Sequence, residues 1–349
     1  MVHRIGSYEI KAVLGKGGMG TVYRALDPTI HREVALKVIN PELSQNLLLM
    51  KRFQNEAVAM ARLNHPNIVA LYNFFSDGNL HYIVMEYVQG KSLSQIIREE
   101  GALPWDRALS LFAQILTAID YAHQHRIIHR DIKPSNFIVQ PNGGVKVTDF
   151  GVAKVFGGEE LTRAGTVLGT AHYMSPEQIL ANPISTASDI YSLGITLYEM
   201  VTGRVPFSGN SDFEIQKGHL ECLPPFPRQL NPNISGEIEG VILTSIEKKP
   251  ESRFSSVAQF LEALSERTMP IQKPSIEMGS IPLLSRWVPL KAEWFSFPSP
   301  WKEALQLDQW VARYRDLPLG AKWMVLLAGA LLLVLFLVIL LSTIAKTPI

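Results

Sequence analysis

The stretch His129-Arg130-Asp131-Ile132-Lys133-Pro134-Ser135-Asn136 decides how the rest of this chain is interpreted. It carries a carboxylate (Asp131), an ammonium group (Lys133) and a carboxamide (Asn136) within six residues. Transfer of a phosphoryl group needs a base for the incoming hydroxyl, a cation for the phosphate and an oxygen ligand for a metal. The stretch therefore indicates phosphoryl transfer, and the sequence on either side of it tests that interpretation.

Asp149-Phe150-Gly151 follows after a short hairpin turn at Pro141-Asn142-Gly143-Gly144. Asp149 is expected to join Asn136 as a second metal ligand, because Mg²⁺ is bound through oxygen atoms. Phe150 is apolar and is expected in the core. A lone Asp-Phe-Gly also suits any ordinary turn, so its significance comes from its position after Asn136.

A glycine cluster, Gly15-Lys16-Gly17-Gly18-Met19-Gly20, lies upstream of these motifs. A dinucleotide-binding fingerprint opens a helix and a Walker loop ends in Lys-Ser/Thr, but here the β-branched Thr21-Val22-Tyr23 follows. What remains is a hairpin whose backbone N–H groups are able to cover phosphates, because glycine has no Cβ. A plain hairpin turn is the alternative for this segment taken alone.

Lys37 lies in Val34-Ala35-Leu36-Lys37, on the third predicted strand. Its ammonium group is able to hold nucleotide phosphates if a carboxylate orients it. Glu56, on the predicted helix that follows, is the expected partner. An ordinary surface lysine on a strand is the alternative.

The periodicity of the chain predicts a small β-rich region followed by a larger helical one. Strands are expected over residues 8–14, 21–25, 33–39, 67–72 and 81–87, and helices over residues 50–63, 105–123, 186–202, 236–247 and 256–265.

The net charge of +1 argues against a large nucleic-acid surface, which needs clustered basic residues. The single cysteine, Cys222, excludes an intramolecular disulfide and fits a reducing compartment.

The C-terminal part of the sequence predicts a membrane anchor. Residues 324–341 are an unbroken apolar run, so a transmembrane helix is expected over 323–344, followed by a short outer tail at 345–349. A buried core helix is the alternative, although such a helix is seldom apolar on all faces. No signal peptide is expected, because residues 1–8 lack an apolar segment, and Arg313, Arg315 and Lys322 precede the run. The positive-inside rule then predicts a single-pass inner-membrane protein with a cytoplasmic catalytic domain.

Residues 265–322 read as a juxtamembrane linker rich in proline, serine and tryptophan. The linker includes an amphipathic helix, with Leu307, Trp310, Val311 and Tyr314 on one face. This face is expected either at the membrane interface or against the folded domain. An ordinary amphipathic helix with incidental tryptophans is the alternative.

Ser175-Pro176-Glu177 completes an ordered series of motifs that resembles the full signature set of the protein kinase family. The resemblance covers about residues 8–264 and is closest to bacterial Hanks-type serine/threonine kinases with a membrane anchor. The segments behind that closeness are residues 15–23, 63–69 and 169–177. The implied fold class is α+β: a bilobal protein kinase fold with a small β-rich N-lobe and a larger helical C-lobe, plus one C-terminal transmembrane helix.

The resemblance implies roles for individual residues, with ATP and Mg²⁺ as cofactors and Mn²⁺ as a substitute metal. The implied catalytic residues are Asp131, Lys133, Asn136 and Asp149, of which Asn136 and Asp149 hold the metal. The implied nucleotide-binding residues are Leu14, Gly15, Lys16, Gly17, Gly18, Met19, Gly20, Val22, Ala35, Lys37, Glu56, Met85, Glu86, Val88 and Ile138. Structural roles are implied for a stack of Met60, Leu71, His129 and Phe150, for a Glu177–Arg253 pair, and for Asp189 as a brace of the catalytic loop.

Regulation by phosphorylation is also implied. In similar kinases the arginine at the position of Arg130 receives a phosphate from the activation loop through a charge-assisted contact. Thr162 is the expected phosphorylation site and Thr166 the second, whereas Thr170 is expected to bridge Asp131 and Lys133. Plain polar loop residues are the alternative for both threonines.

The expected function is therefore serine/threonine protein phosphorylation in signal transduction, since Lys133 two residues after Asp131 favours serine and threonine over tyrosine. The expected partners are protein substrates, the lipid bilayer and a second copy of the chain, but no nucleic acid. A catalytically silent pseudokinase scaffold is the first alternative and a small-molecule kinase is the second. The presence of Lys37, Glu56, Asp131, Asn136 and Asp149 argues against the scaffold.

Overall fold

The computed structural model describes residues 3–17, 20–40, 54, 57–78, 80–150 and 171–266. All of them fall in the first of two units, Met1–Lys273 and Pro274–Ile349. Several predictions lie outside the described residues: those for Gly18, Met19, Glu56, Thr162, Thr166, Thr170, the amphipathic helix, the transmembrane helix and the outer tail. Of the helices that the structure describes, none combines the length and the apolar character that crossing a bilayer requires.

The N-terminal lobe is built on a six-stranded antiparallel sheet. Its strands are β1 (Arg4–Ile5), β2 (Tyr8–Gly17), β3 (Gly20–Asp27), β4 (Arg32–Ile39), β5 (Leu71–Asp77) and β6 (Leu80–Glu86), in the order β1-β2-β3-β4-β6-β5. Val22 pairs with Lys37, and Ala35 pairs with Met85. Because alternate residues of a strand share a face, these four side chains lie on the same side of the sheet. The opposite face packs around Tyr8, Leu36 and Tyr82.

The predicted strand over residues 67–72 is wrong in its position. The strand of the sheet is β5, Leu71–Asp77, whereas residues 67–69 pair with Val147 of the C-terminal lobe instead. Val147 donates its N–H to the carbonyl of Asn67, and Val69 donates to the carbonyl of Val147. The apolar pair Ile68 and Val69 therefore reflects contact with the C-terminal lobe, and only Leu71 and Tyr72 of the predicted strand belong to the larger sheet.

The helices of the C-terminal lobe agree with the prediction at four places. They are α1 (Leu93–Glu100), α2 (Trp105–Gln124), α3 (Pro176–Ile179), α4 (Thr186–Thr202), α5 (Asp212–Glu221), α6 (Pro227–Leu230), α7 (Gly236–Ser245) and α8 (Val257–Glu266). The predicted helices correspond to α2, α4, α7 and α8, each within two residues at either end. Helices α1 and α5, and the short helices α3 and α6, were not predicted. The signal for α1 is the capping box of Ser92 and Gln95, which marks the start of a helix.

Helix α4 is the centre of the C-terminal lobe. It is buried on all sides, so its sequence is apolar around the whole helix apart from small polar residues and the carboxylates of Asp189 and Glu199. Gly194 lets α7 pack closely, because a Cβ there would lie 2.1 Å from Ser245 Oγ. A small sheet of β7 (Lys91–Ser92), β8 (Phe137–Val139) and β9 (Val145–Val147) lies between this core and the N-terminal lobe.

A buried ion pair joins α3 to the segment before α8. Arg253 contacts both carboxylate oxygens of Glu177, at 2.8 and 2.9 Å, as the sequence resemblance implied. The guanidinium group also donates to the carbonyls of Ala187, Glu247 and Lys248. Each buried charge thus has a partner of opposite sign and further hydrogen bonds, the condition under which such a pair is tolerated in a core.

We expect Arg253→Met to lower the free energy of unfolding by about 3–5 kcal/mol, because it leaves the Glu177 carboxylate buried without its cation. Urea unfolding followed by far-UV circular dichroism measures the change. Arg228→Met, on the exposed face of α6, is the matched control and should change stability by less than about 0.5 kcal/mol. Equal losses in the two variants would contradict the prediction.

The same pair gives stability a defined pH dependence. Burial by itself raises the pKa of Glu177, but the bonds from Arg253 and Ser188 outweigh it and hold the pKa below its ordinary value of 4.5. Because the folded-state pKa is the lower one, the contribution is complete above about pH 4.5 and is lost as pH falls through the folded-state pKa. We expect Glu177→Gln to remove this part of the acid dependence, which urea titrations between pH 3 and 6 would reveal.

Candidate active site

The loop between α2 and β8 brings two polar side chains to one carboxylate. Asp131 is buried, and Lys133 Nζ lies 2.9 Å from its Oδ2. Asn136 Nδ2 donates to the backbone carbonyl of Asp131 at 2.7 Å and to Oδ2 at 3.2 Å. A single 3-10 turn, Pro134–Asn136, makes this geometry, since proline at its first position fixes φ. The groups that are close in sequence are therefore also close in space.

The backbone of this loop is held by Asp189, in the first turn of α4. Its Oδ2 accepts the N–H of His129 and its Oδ1 accepts the N–H of Arg130, both at 2.8 Å. His123 Nε2 lies 2.7 Å from the same carboxylate. Arg130 has a φ of 66°, which non-glycine residues adopt rarely, so the backbone needs such external bonds to stay in this conformation.

His129 is a buried, neutral link between the loop and the Asp149 segment. Burial lowers its pKa, although the carboxylates of Asp189 and Asp131 oppose the shift. One tautomer satisfies both ring nitrogens: Nε2 donates to the carbonyl of Thr148 at 3.1 Å, and Nδ1 accepts the N–H of Asp131 at 3.3 Å. The ring also packs on Phe150, with centroids 4.6 Å apart. Phe150 is buried, as predicted.

Lys37 of β4 and Asp149 form an ion pair between the lobes, with Nζ 2.5 Å from Oδ1. Burial by itself raises the pKa of Asp149, but the nearby ammonium groups of Lys37 and Lys133 outweigh it and lower the pKa. Asp149 is therefore a carboxylate at neutral pH and is suited to bind a cation. Because Glu56 lies outside the described residues, its pairing with Lys37 stays a prediction.

A cleft of about 530 Å³ opens between the lobes and is large enough for a nucleotide. Its lining includes the predicted residues Leu14, Gly15, Val22, Ala35, Met85, Glu86, Val88 and Ile138, together with Asp149. A more open concavity of about 710 Å³ lies between α2 and α8 and has none of the groups described above. The cleft is therefore the candidate active site.

The glycines of the β2–β3 hairpin have two different functions. A Cβ at Gly20, whose φ is 139°, would lie 1.7 Å from the carbonyl oxygen of Val38, so packing requires glycine there. A Cβ at Gly15 or Gly17 would meet nothing within 4 Å. Packing within the described residues therefore does not explain these two glycines, and their backbone is open to the approach of a ligand. Lys16 lies between them, on the exposed end of β2.

Three of the four predicted stacking residues, Met60, Leu71 and Phe150, line one small apolar chamber behind Met85. His129, the fourth, packs against Phe150 from the C-terminal lobe. Met60, Leu71 and Phe150 therefore surround one chamber, and His129 packs on Phe150 at its C-terminal side, which is the order that the predicted stack requires.

Two contacts at the site were missed by sequence reasoning. Lys146 Nζ lies 2.8 Å from the carboxylate of Glu86, which also accepts the N–H of Ala70 at 3.2 Å. Gln178 Nε2 donates to the carbonyl of Arg130 at 2.9 Å. No local pattern indicates either contact, because the partners are more than 45 residues apart along the chain.

The donor atoms near Asp131 fit a hard divalent cation. Asn136 turns its amide nitrogen towards Asp131, so Oδ1 is the atom that remains for a metal. Asp149 adds a carboxylate, and oxygen ligands of these two kinds suit Mg²⁺. In the part of the chain that the structure describes, no group of three or more histidine, cysteine, aspartate or glutamate side chains forms a metal site of another kind.

The protein kinase domain family matches residues 8–265, so the chain belongs to this family. The chain is 39% identical over 289 residues to serine/threonine-protein kinase PrkC of Bacillus subtilis (strain 168), a match that covers 80% of this chain and 44% of PrkC. It spans about two fifths of the length of the curated relatives that it matches.

Solved structures of kinase domains have the same fold. The PknI kinase domain of Mycobacterium tuberculosis superposes with a TM-score of 0.62 at 25% identity, over 76% of this chain and 98% of that one. Rad53, residues 1–466, solved in complex with AMP-PNP, gives a TM-score of 0.62 at 30% identity, over 74% of this chain and 64% of that one. The α+β bilobal arrangement expected from the sequence is thus confirmed for the described residues.

Proposed function

We propose that this chain is a serine/threonine protein kinase, which transfers the γ-phosphoryl group of ATP to hydroxyl groups of proteins. One observation carries the proposal: Asp131, Lys133 and Asn136 converge at the edge of a cleft that also contains the Lys37–Asp149 pair. Membership of the protein kinase domain family and the likeness to PrkC support it. The AMP-PNP complex of Rad53 supports an adenine nucleotide as the occupant of the cleft.

The adenine ring would lie between Val22 and Ala35 above and Ile138 below, with Met85 at its back. Glu86 already donates its N–H to the carbonyl of Ala70, so its own carbonyl and the backbone of Val88 are the groups that would meet the edge of the ring. Leu14, Gly15, Lys16, Gly17, Gly18, Met19 and Gly20 would cover the phosphates. Lys37 would contact the α- and β-phosphates, and Glu56 would orient it.

Asn136 and Asp149 would hold Mg²⁺, or Mn²⁺ in its place, and the metal would neutralise charge on the phosphates. Asp131 would accept the proton of the substrate hydroxyl. Lys133, which already lies beside this carboxylate, would stabilise the charge on the transferring phosphoryl group. The position of Lys133, two residues after Asp131, favours serine and threonine over tyrosine as acceptors.

The pseudokinase scaffold remains the alternative of a different class. The burial and convergence of the ionised groups argue against it, because a binding scaffold gains no stability from holding several charges in one cleft. A small-molecule kinase remains the second alternative. The buried Glu177–Arg253 pair, which anchors the segment after the activation loop, favours a protein substrate.

We expect Asp131→Asn to lower phosphate incorporation from labelled ATP into a generic protein substrate by about 100-fold or more, because the base and its orientation are both lost. The variant should still bind ATP, since the nucleotide-binding residues are unchanged. Asp106→Asn, on the exposed first turn of α2, is the control and should retain full activity. Full activity of Asp131→Asn would defeat the kinase assignment, and an inactive wild type that binds ATP would favour the scaffold.

We further propose that Arg130 receives a phosphate from Thr162, or from Thr166, and that this contact activates the enzyme. The support is the position of Arg130 directly before Asp131. We expect phosphopeptide mapping of the active enzyme to find Thr162 modified, and Thr162→Ala to lower activity more than Thr166→Ala. Active enzyme without phosphate on either threonine would contradict this proposal.

The apolar run supports a last proposal, that residues 323–344 cross the inner membrane and keep the kinase domain on the cytoplasmic side. The proposed partners of the chain would then be the bilayer, protein substrates and a second copy of the chain. We expect alkaline phosphatase fused after Ile349 to be active and green fluorescent protein fused there to be dark. The opposite result would reverse the topology.

A further inference from the structure

The side chain of Gln178 reaches from α3 to the catalytic loop. Its Nε2 donates to the carbonyl oxygen of Arg130 at 2.9 Å, and its Oε1 accepts the N–H of Ser175 at 3.1 Å. Only this orientation of the carboxamide satisfies both neighbours, because the reverse one would put two acceptors together and two donors together. One half-buried side chain therefore joins the start of α3 to the residue before Asp131.

The carbonyl of Arg130 and the N–H of Asp131 belong to the same planar peptide unit. Gln178 holds the oxygen of this unit, and His129 Nδ1 accepts its N–H at 3.3 Å. The N–H of Arg130, which belongs to the preceding peptide unit, is bonded to Asp189. The peptide that leads into Asp131 is thus fixed at both ends, although the φ of 66° at Arg130 is unfavourable for a residue with a Cβ.

Helix α3, which carries Gln178, is itself held in place by further contacts. Its neighbour Glu177 is buried, pairs with Arg253 and accepts the hydroxyl of Ser188 at 2.7 Å. Ser175 and Gln178 form the capping box that begins α3. Because α3 directly follows the segment that carries the predicted phosphorylation sites, a displacement of α3 would be transmitted through Gln178 to the catalytic loop.

We propose that Gln178 is a positioning residue for Asp131, and that it couples the location of α3 to the orientation of the catalytic carboxylate. This inference rests on the proposed kinase function. Gln178 acts through the carbonyl of Arg130 and lies in a different part of the chain from the motifs that bind nucleotide. It therefore affects the rate of phosphoryl transfer and leaves the affinity for ATP unchanged.

The Gln178→Glu variant distinguishes a role in positioning Asp131 from a role in capping α3. Glutamate serves at the third helical position of a capping box as well as glutamine does, so α3 is preserved. The variant loses the donor to Arg130 and turns a carboxylate oxygen towards that carbonyl. We expect kcat of the purified full-length chain to fall about 10-fold, while the KM for ATP stays within about twofold and Tm is unchanged.

Gln178→Lys makes the opposite change. Its ammonium group retains a donor for the Arg130 carbonyl but loses the acceptor for Ser175. We expect this variant to have a lower Tm than Gln178→Glu and a higher kcat. A capping role alone predicts the reverse order for kcat, with glutamate the more active of the two, so the comparison distinguishes the two roles.

Two further glutamines serve as controls. Gln95→Glu makes the same exchange in the capping box of α1 and shows what the exchange does to Tm. Gln229→Glu, on the exposed surface of α6, adds the same charge and should leave kcat unchanged. Wild-type kcat in Gln178→Glu, or an equal loss in Gln229→Glu, would overturn the proposal.

Hydrogen–deuterium exchange tests the hydrogen bond between Gln178 and the Arg130 carbonyl without relying on activity. We expect the peptide that contains residues 129–133 to exchange faster in Gln178→Glu than in the wild type or in Gln229→Glu, because its backbone is less restrained. Unchanged exchange would overturn the proposal. A wild type that transfers no phosphate would refute the kinase function instead, and the exchange result would still decide whether Gln178 holds the loop.

Discussion

The hydrogen bonds between the carboxylate of Asp189 and the N–H groups of His129 and Arg130 are the interaction on which the site depends. A buried carboxylate is costly unless donors surround it, and here two backbone donors and His123 do so. Its position in the first turn of α4 adds the favourable field at a helix N-terminus. The centre of the C-terminal lobe thereby determines the backbone conformation of the catalytic loop.

The N-terminal lobe is tied by the Lys37–Asp149 pair to the Asp149 segment, which in turn contacts His129 of this loop through Phe150 and the carbonyl of Thr148. The ion pair is short and largely sheltered on the side of Lys37, whose side chain is 8% exposed. When a nucleotide and its metal bind, Lys37 would contact phosphate and Asp149 would contact the metal. The ion pair could then separate without leaving either buried charge unpaired. The stack of Met60, Leu71, Phe150 and His129 carries no charge and is able to persist through that exchange.

The sequence predicted the chemical groups of the site better than their supports. Asp131, Lys133 and Asn136 could be placed together because they lie within six residues, whereas Val22, Ala35 and Met85 were implied by the resemblance to the protein kinase family. The strand over residues 67–72 was wrong, since burial between the lobes produces the same apolar pattern as burial in a sheet. The contact of Gln178 with Arg130 could not be predicted, because a capping glutamine is fully explained by its own helix and nothing local indicates a second partner.

The distribution of these contacts along the chain explains why the catalytic loop needs the whole domain. The loop supplies the reacting groups, but its own residues cannot maintain the positive φ at Arg130, where L-residues are disfavoured. Asp189 and Gln178 supply the missing hydrogen bonds from more than 45 residues downstream, and Arg253 holds the helix that bears Gln178 in place. A change in the segment before α3 therefore has a physical route to Asp131 that passes through backbone hydrogen bonds and requires no contact with the nucleotide.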